Sequence, residues 1–263
     1  MSGRLSGLGI VVTRPRSAAD ALADELSREG ARVWRLPALA IEPIEPGPEL
    51  GTILGRLETF DLAIFVSANA VERGLAAARR FGGWPPGLAA AAVGEATAAA
   101  LREEGVDDVV APHDRHDSEA LLALPRLRSV RGQNIIVFRG QGGREQLRES
   151  LEARGARVTY AECYRRVRPQ ADASPVIAAL ARGEVHAVSV LSGETLENFM
   201  AMVGAEGERA LASVALVVPH PAIGGHPVSR HFARVAVSGH GTEALIETLG
   251  DLNKYNIAAD ERR

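Results

Sequence analysis

An internal repeat constrains this chain more than any other feature. Residues 10–33 read IVVTRPRSAADALADELSREGARV, and residues 135–158 read IIVFRGQGGREQLRESLEARGARV. They align without gaps at an offset of 125, with nine of 24 positions identical, where composition alone would supply roughly two. The identities are Ile10/Ile135, Val12/Val137, Arg14/Arg139, Leu22/Leu147, Leu26/Leu151 and Gly-Ala-Arg-Val at 30–33 and 155–158. The same offset sets Asp61–Val71 against His186–Leu196, placing Ser67 on Ser192, and sets Ala92-Val93 on Val217-Val218 and Val110-Ala111 on Val235-Ala236. A self-similarity held over so long a span marks a duplicated structural unit.

Within each repeat, short apolar runs alternate with amphipathic stretches. The runs Ile10–Val12, Ala63–Val66, Ile135–Phe138, Val188–Leu191 and Val214–Val218 are expected strands, and Ala18–Glu29 and Arg144–Arg154 are expected helices. Strand–turn–helix alternation calls for parallel sheets with helices on both faces. Ligands of such sheets sit beyond the carboxyl ends of the strands, where loops meet helix N-termini.

Composition removes several functions. At 263 residues, 46% hydrophobic and 24% charged, the chain has a globular rather than a disordered make-up. A formal charge of −3 lacks the basic excess of a general nucleic-acid binder. Of the 30 basic residues, 29 are Arg and Lys254 is the only Lys, an imbalance that base composition accounts for. The single cysteine, Cys163, excludes an intrachain disulfide and a thiolate metal cluster. Neither a signal peptide nor an apolar run of spanning length is evident; Gly87–Ala100 is interrupted by Gly94 and Glu95. A cytoplasmic protein without a membrane partner is expected, with Asp251–Arg263 as a fraying tail.

Five strand-end loops carry polar residues: Thr13-Arg14-Pro15, Ser67-Ala68-Asn69, Gly94-Glu95-Ala96-Thr97, Arg139–Arg144 and Ser192-Gly193-Glu194. Ser67, Thr97 and Ser192 suit simple helix capping as well as anion contact. Arg14 and Arg139 are poor caps, because a cation at a helix N-terminus opposes the macrodipole. Their recurrence at equivalent positions suggests binding. The Gly140–Gly143 loop is neither G-x-G-x-x-G nor a Walker loop, no G-x-S-x-G elbow occurs, and the seven His residues form no helical ligand pair with Glu. His113 and His116 sit in a Pro/Asp-rich loop that offers no recognisable metal set.

Taken in order, the motifs resemble the uroporphyrinogen-III synthase family. They are V-T-R-P at 12–15, F-x-S-x-N-A-V at 65–71, V-G-x-x-T at 93–97, Asp117-Ser118 before a Leu pair, R-G-x-G-G-R at 139–144, G-A-x-V-x-x-x-x-x-Y-R-R at 155–166 and L-S-x-x-x-x-x-N-F at 191–199. The resemblance runs from about Leu8 to Leu249.

It implies two flavodoxin-like α/β domains, the first discontinuous (1–37 with 169–263) and the second 38–168. Two crossing strands, near 38–43 and 162–168, would join them and pair with each other. It also implies cyclisation of hydroxymethylbilane, a polycarboxylate, to uroporphyrinogen III with ring D inversion and loss of water, by a monomer needing neither cofactor nor metal. Local cations and helix N-termini must then recognise the carboxylates, since the net charge cannot attract them.

The resemblance points to Tyr164 as the acid, because a phenol, with an ordinary pKa of about 10, is protonated at neutral pH. Expected substrate contacts are Arg14, Ser67, Asn69, Thr97, Arg139, Gly140, Arg144, Ser192 and His220. Pro219-His220-Pro221-Ala222 departs from the family's pattern, and His220 is the candidate replacement for the missing polar group. A tetrapyrrole-sensing module without catalysis and a two-lobed small-anion binder are the competing readings.

Overall fold

The computed structural model describes residues 3–113, 115 and 117–260; His116 lies outside them. Its strands are β1 (Gly9–Val12), β2 (Arg32–Arg35), β3 (Ala40–Pro43), β4 (Leu62–Phe65), β5 (Ala89–Ala92), β6 (Val109–Val110), β7 (Asn134–Gly140), β8 (Arg157–Val167), β9 (Ala187–Ser189), β10 (Ala215–Val218) and β11 (Arg234–Val237). They form two sheets, in the orders β11-β10-β9-β1-β2 and β3-β8-β7-β4-β5-β6. Pairing among β1, β2, β9, β10 and β11 is parallel, as is pairing among β4 to β8.

The duplication explains this arrangement. At the offset of 125, β1 and β2 correspond to β7 and β8, and β4, β5 and β6 correspond to β9, β10 and β11. Each sheet therefore joins the opening strand pair of one repeat to the closing strands of the other. Counted in repeat positions, each has the 2-1-3-4-5 order of a flavodoxin-like fold. The registers agree as well: Ile10 pairs with Val33 in one sheet, and Ile135 with Val158 in the other.

The chain accordingly divides into two compact units, Met1–Ala40 with Val167–Arg263, and Ile41–Arg166. It changes unit within β3 and at the end of β8, which are adjacent in the second sheet. No helix among the described residues is long and apolar enough to cross a membrane.

Each sheet is covered on both faces, and period-two alternation sorts its side chains. In the second unit, Leu62 and Ile64 of β4 join a core with Leu121, Ile135, Val137 and Leu151. Ala63 and Phe65 face the opposite way, with Val71, Leu75, Ala90 and Phe138. Phe65 and Phe138 stack with ring centroids 4.5 Å apart, fixing β4 beside β7 where the two loops below emerge.

Two helices begin elsewhere than their periodicity predicts. The helix Arg16–Arg28 starts directly after Pro15, whose fixed φ suits a helix entry. Its counterpart starts only at Gln146, because the glycines of 140–143 hold an extra loop. The tail is also more ordered than expected, since a helix runs from Thr242 to Asp260. Leu245, Ile246, Leu249 and Leu252 bury one side of that helix in the first unit's core, and the Asn253 amide donates to Ser6 O at 3.1 Å.

Candidate active site

In an open parallel sheet the strand order reverses at one point, leaving a crevice beyond the carboxyl ends of the two strands there. In the second unit these strands are β4 and β7, followed by Ser67 and by the loop 141–144, with Arg139 and Gly140 closing β7. In the first they are β1 and β9, followed by Arg14 and by Leu191-Ser192.

In the second unit Ser67 is the N-cap of the helix Ala68–Arg79, its Oγ accepting the Ala70 N–H at 3.1 Å, a contact worth about 1 kcal/mol. The same oxygen lies 3.1 Å from Tyr164 Oη. Tyr164 belongs to β8 and is only 7% exposed. Gly140 lies against the face of its ring, where a Cβ would be 2.6 Å from Tyr164 Cε2. The Gln141 amide donates to the Tyr164 carbonyl at 2.7 Å across a register shift at Arg139/Gly140. Cap, glycine and ladder together leave the phenol one position.

Tyr164, Gly140 and Arg144 line a cavity of about 160 Å³ with Arg139, Tyr160 and Arg166. Arg139 differs from its expected role as an open loop cation. It is 5% exposed; its Nε donates to Gly140 O at 3.2 Å, another guanidinium nitrogen to Gly142 O, and a third meets Glu145 at 3.1 Å. Its guanidinium also stacks 4.2 Å from the Tyr160 ring centre. Gly142 and Gly143 have φ of 72° and 101°, the left-handed region that glycine tolerates, so the loop can wrap around the cation. Arg139 organises the loop from inside. Arg144 is exposed.

The remaining expected residues are dispersed. Asn69 is half-buried in the first turn after Ser67. Thr97 is buried, and the N-cap of its helix is Gly94. Ser192 caps the helix Gly193–Ala210 through the Thr195 N–H at 3.1 Å. His220 Nδ1 accepts the Ala222 N–H at 3.1 Å, capping the short helix Pro221–Gly224. Arg14 lines a separate cavity of the first unit.

Sequence reasoning passed over Tyr160 and Arg166. Arg166 shares the parity of Tyr164 along β8, but the register shift opposite Arg139/Gly140 separates Tyr160 from Tyr164, and Tyr160 packs against the opposite core, so alternation alone would not have grouped the three. Ser118, also on the cavity wall, was visible in the Asp117-Ser118 motif but carried no assigned role. Among the described residues no three of His, Cys, Asp and Glu come together as metal ligands.

The family model described as "Uroporphyrinogen-III synthase HemD" matches residues 20–247. The chain belongs to this uroporphyrinogen-III synthase family. It is 36% identical over 199 residues to the uroporphyrinogen-III synthase of Salmonella typhimurium, covering 74% of this chain and 80% of that one. To the Escherichia coli synthase it is 34% identical over 197 residues, with the same coverage.

The fold is that of solved family members. The Thermus thermophilus synthase superposes with a TM-score of 0.57 at 21% identity, covering 97% of this chain and all of that one (100%). The Helicobacter pylori enzyme gives 0.58 at 13% identity, covering 91% and 97%. As a member of the synthase family, the chain is a lyase of tetrapyrrole biosynthesis.

Proposed function

We propose that this enzyme closes hydroxymethylbilane to uroporphyrinogen III, inverting ring D and releasing water, with Tyr164 as the acid. The observation that carries the assignment is the Tyr164 Oη···Ser67 Oγ contact of 3.1 Å on a cavity wall at the strand-order reversal.

Ser67 Oγ already accepts from Ala70 N, so its own hydrogen is available to Tyr164 Oη. The phenol proton is then free for the substrate's departing hydroxyl. Transfer breaks the carbon–oxygen bond, water leaves, and the substrate becomes an azafulvenium cation beside a phenolate that Ser67 stabilises. Ring D attacks through its substituted carbon, which carries no hydrogen, so a spiro intermediate forms. The older bond from that carbon to the methylene bridge breaks, leaving an azafulvenium on ring C. The unsubstituted α carbon of ring D closes onto it, and the proton this carbon sheds on regaining aromaticity returns to the phenolate. General acid help of this kind is worth about 10²–10⁴-fold. The remaining task is holding the bilane in the inverting conformation, since it closes unaided without inversion.

The cavity suits the reacting end of the bilane rather than the whole molecule. Arg144 and Asn69 are the proposed carboxylate contacts of this unit, while Ser67, Ser192 and His220 act as caps and Arg139 positions the loop. A cytoplasmic monomer completes the reading, to be checked by cell fractionation and sedimentation.

The activity is tested by incubating the protein with fresh hydroxymethylbilane, oxidising the products and separating type I from type III porphyrin. Predominant type III supports the reading; type I alone, equal to a protein-free control, overturns it.

A further inference from the structure

Both ends of the glycine loop after β7 are fastened to one aromatic ring. The guanidinium of Arg139, just before the loop, lies 4.2 Å from the ring centre of Tyr160. That of Arg148, in the helix that follows, lies 3.7 Å from the same centre. Glu145 meets both cations, Arg139 at 3.1 Å and Arg148 at 3.8 Å, which offsets the repulsion of two like charges on one ring. A guanidinium donates only in its own plane, so an aromatic face can cover it without competing for its hydrogen bonds. Arg139 spends those donors on Gly140 O and Gly142 O as well as on Glu145.

The repeat supplies an internal control. At the offset of 125, Tyr160 corresponds to Arg35 and Arg148 to Ala23, and the registers match: Arg35 pairs with Val12 and Tyr160 with Val137. In that repeat the helix begins at Arg16, with no glycine loop before it, and Arg35 makes an ion pair with Asp20 at 3.1 Å instead. Ring, second cation and loop are present together in one repeat and absent together from the other.

The hydroxyl of Tyr160 takes no part in this arrangement: Oη is buried and makes no hydrogen bond of ordinary length among the described residues. Tyr160 also packs against the opposite core from Tyr164, so its influence on that phenol runs through the loop. The path is continuous. Tyr160 covers Arg139, Arg139 holds Gly140 O, and Gly140 lies against the Tyr164 ring.

We propose that Tyr160 is a positioning residue, whose ring face rather than its hydroxyl staples the glycine loop and thereby sets the Tyr164 phenol. Its consequence for turnover rests on the role of Tyr164 proposed above.

The test compares Tyr160→Leu, Tyr160→Phe and Arg148→Met with the wild type. Steady-state kinetics on hydroxymethylbilane are read beside solvent exchange of the Arg139 Nε–Hε and Gly142 N–H groups by nitrogen-15 NMR. Tyr160→Leu should lower kcat at least about tenfold, within the hundredfold that a displacement of about 1 Å can cost, with KM little changed. Tyr160→Phe keeps the ring face and should restore both kcat and the wild-type exchange rates. In Tyr160→Leu and Arg148→Met both hydrogens should exchange faster than in the wild type. Near-normal kcat in Tyr160→Leu, unchanged exchange in both variants, or a phenylalanine variant no better than the leucine one overturns the proposal. Should Tyr160→Leu not fold, Arg148→Met decides by the same readouts, faster exchange with lowered kcat supporting the staple and unaltered values overturning it. Should the wild type yield only type I porphyrin, the proposed activity fails, while the exchange rates still decide whether the ring holds the loop.

Discussion

Replacing Gly140 with alanine tests how tightly the phenol is held. The new Cβ would lie 2.6 Å from Tyr164 Cε2, 2.8 Å from Cζ and 3.2 Å from Cδ2. Ordinary carbon–carbon contact is about 3.5–4.0 Å, so the ring or the loop must yield by about 1 Å. The backbone is not the obstacle, because Gly140 is outside the left-handed region. Retreat is difficult, because Tyr164 is embedded with Phe65, Ala70 and Phe138 in one core and tied to Gln141 N through its carbonyl. Moving the ring also takes Oη away from Ser67.

Overpacking of this kind costs about 1–3 kcal/mol, and a shift of about 1 Å at a reacting group can cost about a hundredfold in rate. Urea unfolding and steady-state turnover of Gly140→Ala would measure the two effects. Near-normal kcat with an unchanged unfolding midpoint would refute the claim that glycine at 140 fixes the phenol.

Two further outcomes follow from the same geometry. Ser67→Ala should lose about 1 kcal/mol through its cap and reduce kcat less than Tyr164→Phe; the double variant should resemble Tyr164→Phe alone, as expected of residues acting as one unit, measured by turnover and urea unfolding of all three. Burial pushes the Cys163 thiol up to about 12, so native protein should resist a thiol reagent that labels the unfolded chain. Because that folded value is raised, the contribution to stability is whole below the ordinary thiol pKa of about 8.5 and fades as pH climbs toward the folded value. Cys163→Ala should therefore lose stability less steeply than wild type across that alkaline range.

Much of this architecture was legible in the sequence. Gly-Ala-Arg-Val at 30–33 and 155–158 located the duplication, and the spacing of the apolar runs gave parallel strands with polar residues at their carboxyl ends. Periodicity could not tell which halves share a sheet, because Ile10 beside Ala187 is a pairing across 177 positions. The family resemblance supplied the expectation of a discontinuous first domain.

Single side chains were harder to read. That Arg139 turns inward depends on Tyr160, 21 residues further on, whose counterpart in the first repeat is Arg35. Thr97 looked like a cap, but Gly94 takes that place and leaves the threonine buried one turn inside. The final helix was hidden because residues 251–260 show no regular apolar period, although they continue the helix that begins at Thr242.

The central claim is that Tyr164 donates the proton that releases water. Its most direct test is single-turnover kinetics of Tyr164→Phe on hydroxymethylbilane, read together with isomer composition and stability. Losing the phenol oxygen removes one partly buried hydrogen bond, a stability change of about 0.5–1.5 kcal/mol. The rate should nevertheless fall at least about tenfold, the lower part of what a general acid contributes, while residual enzymatic product stays type III. A folded Tyr164→Phe protein that turns over at a near-normal rate would contradict the account.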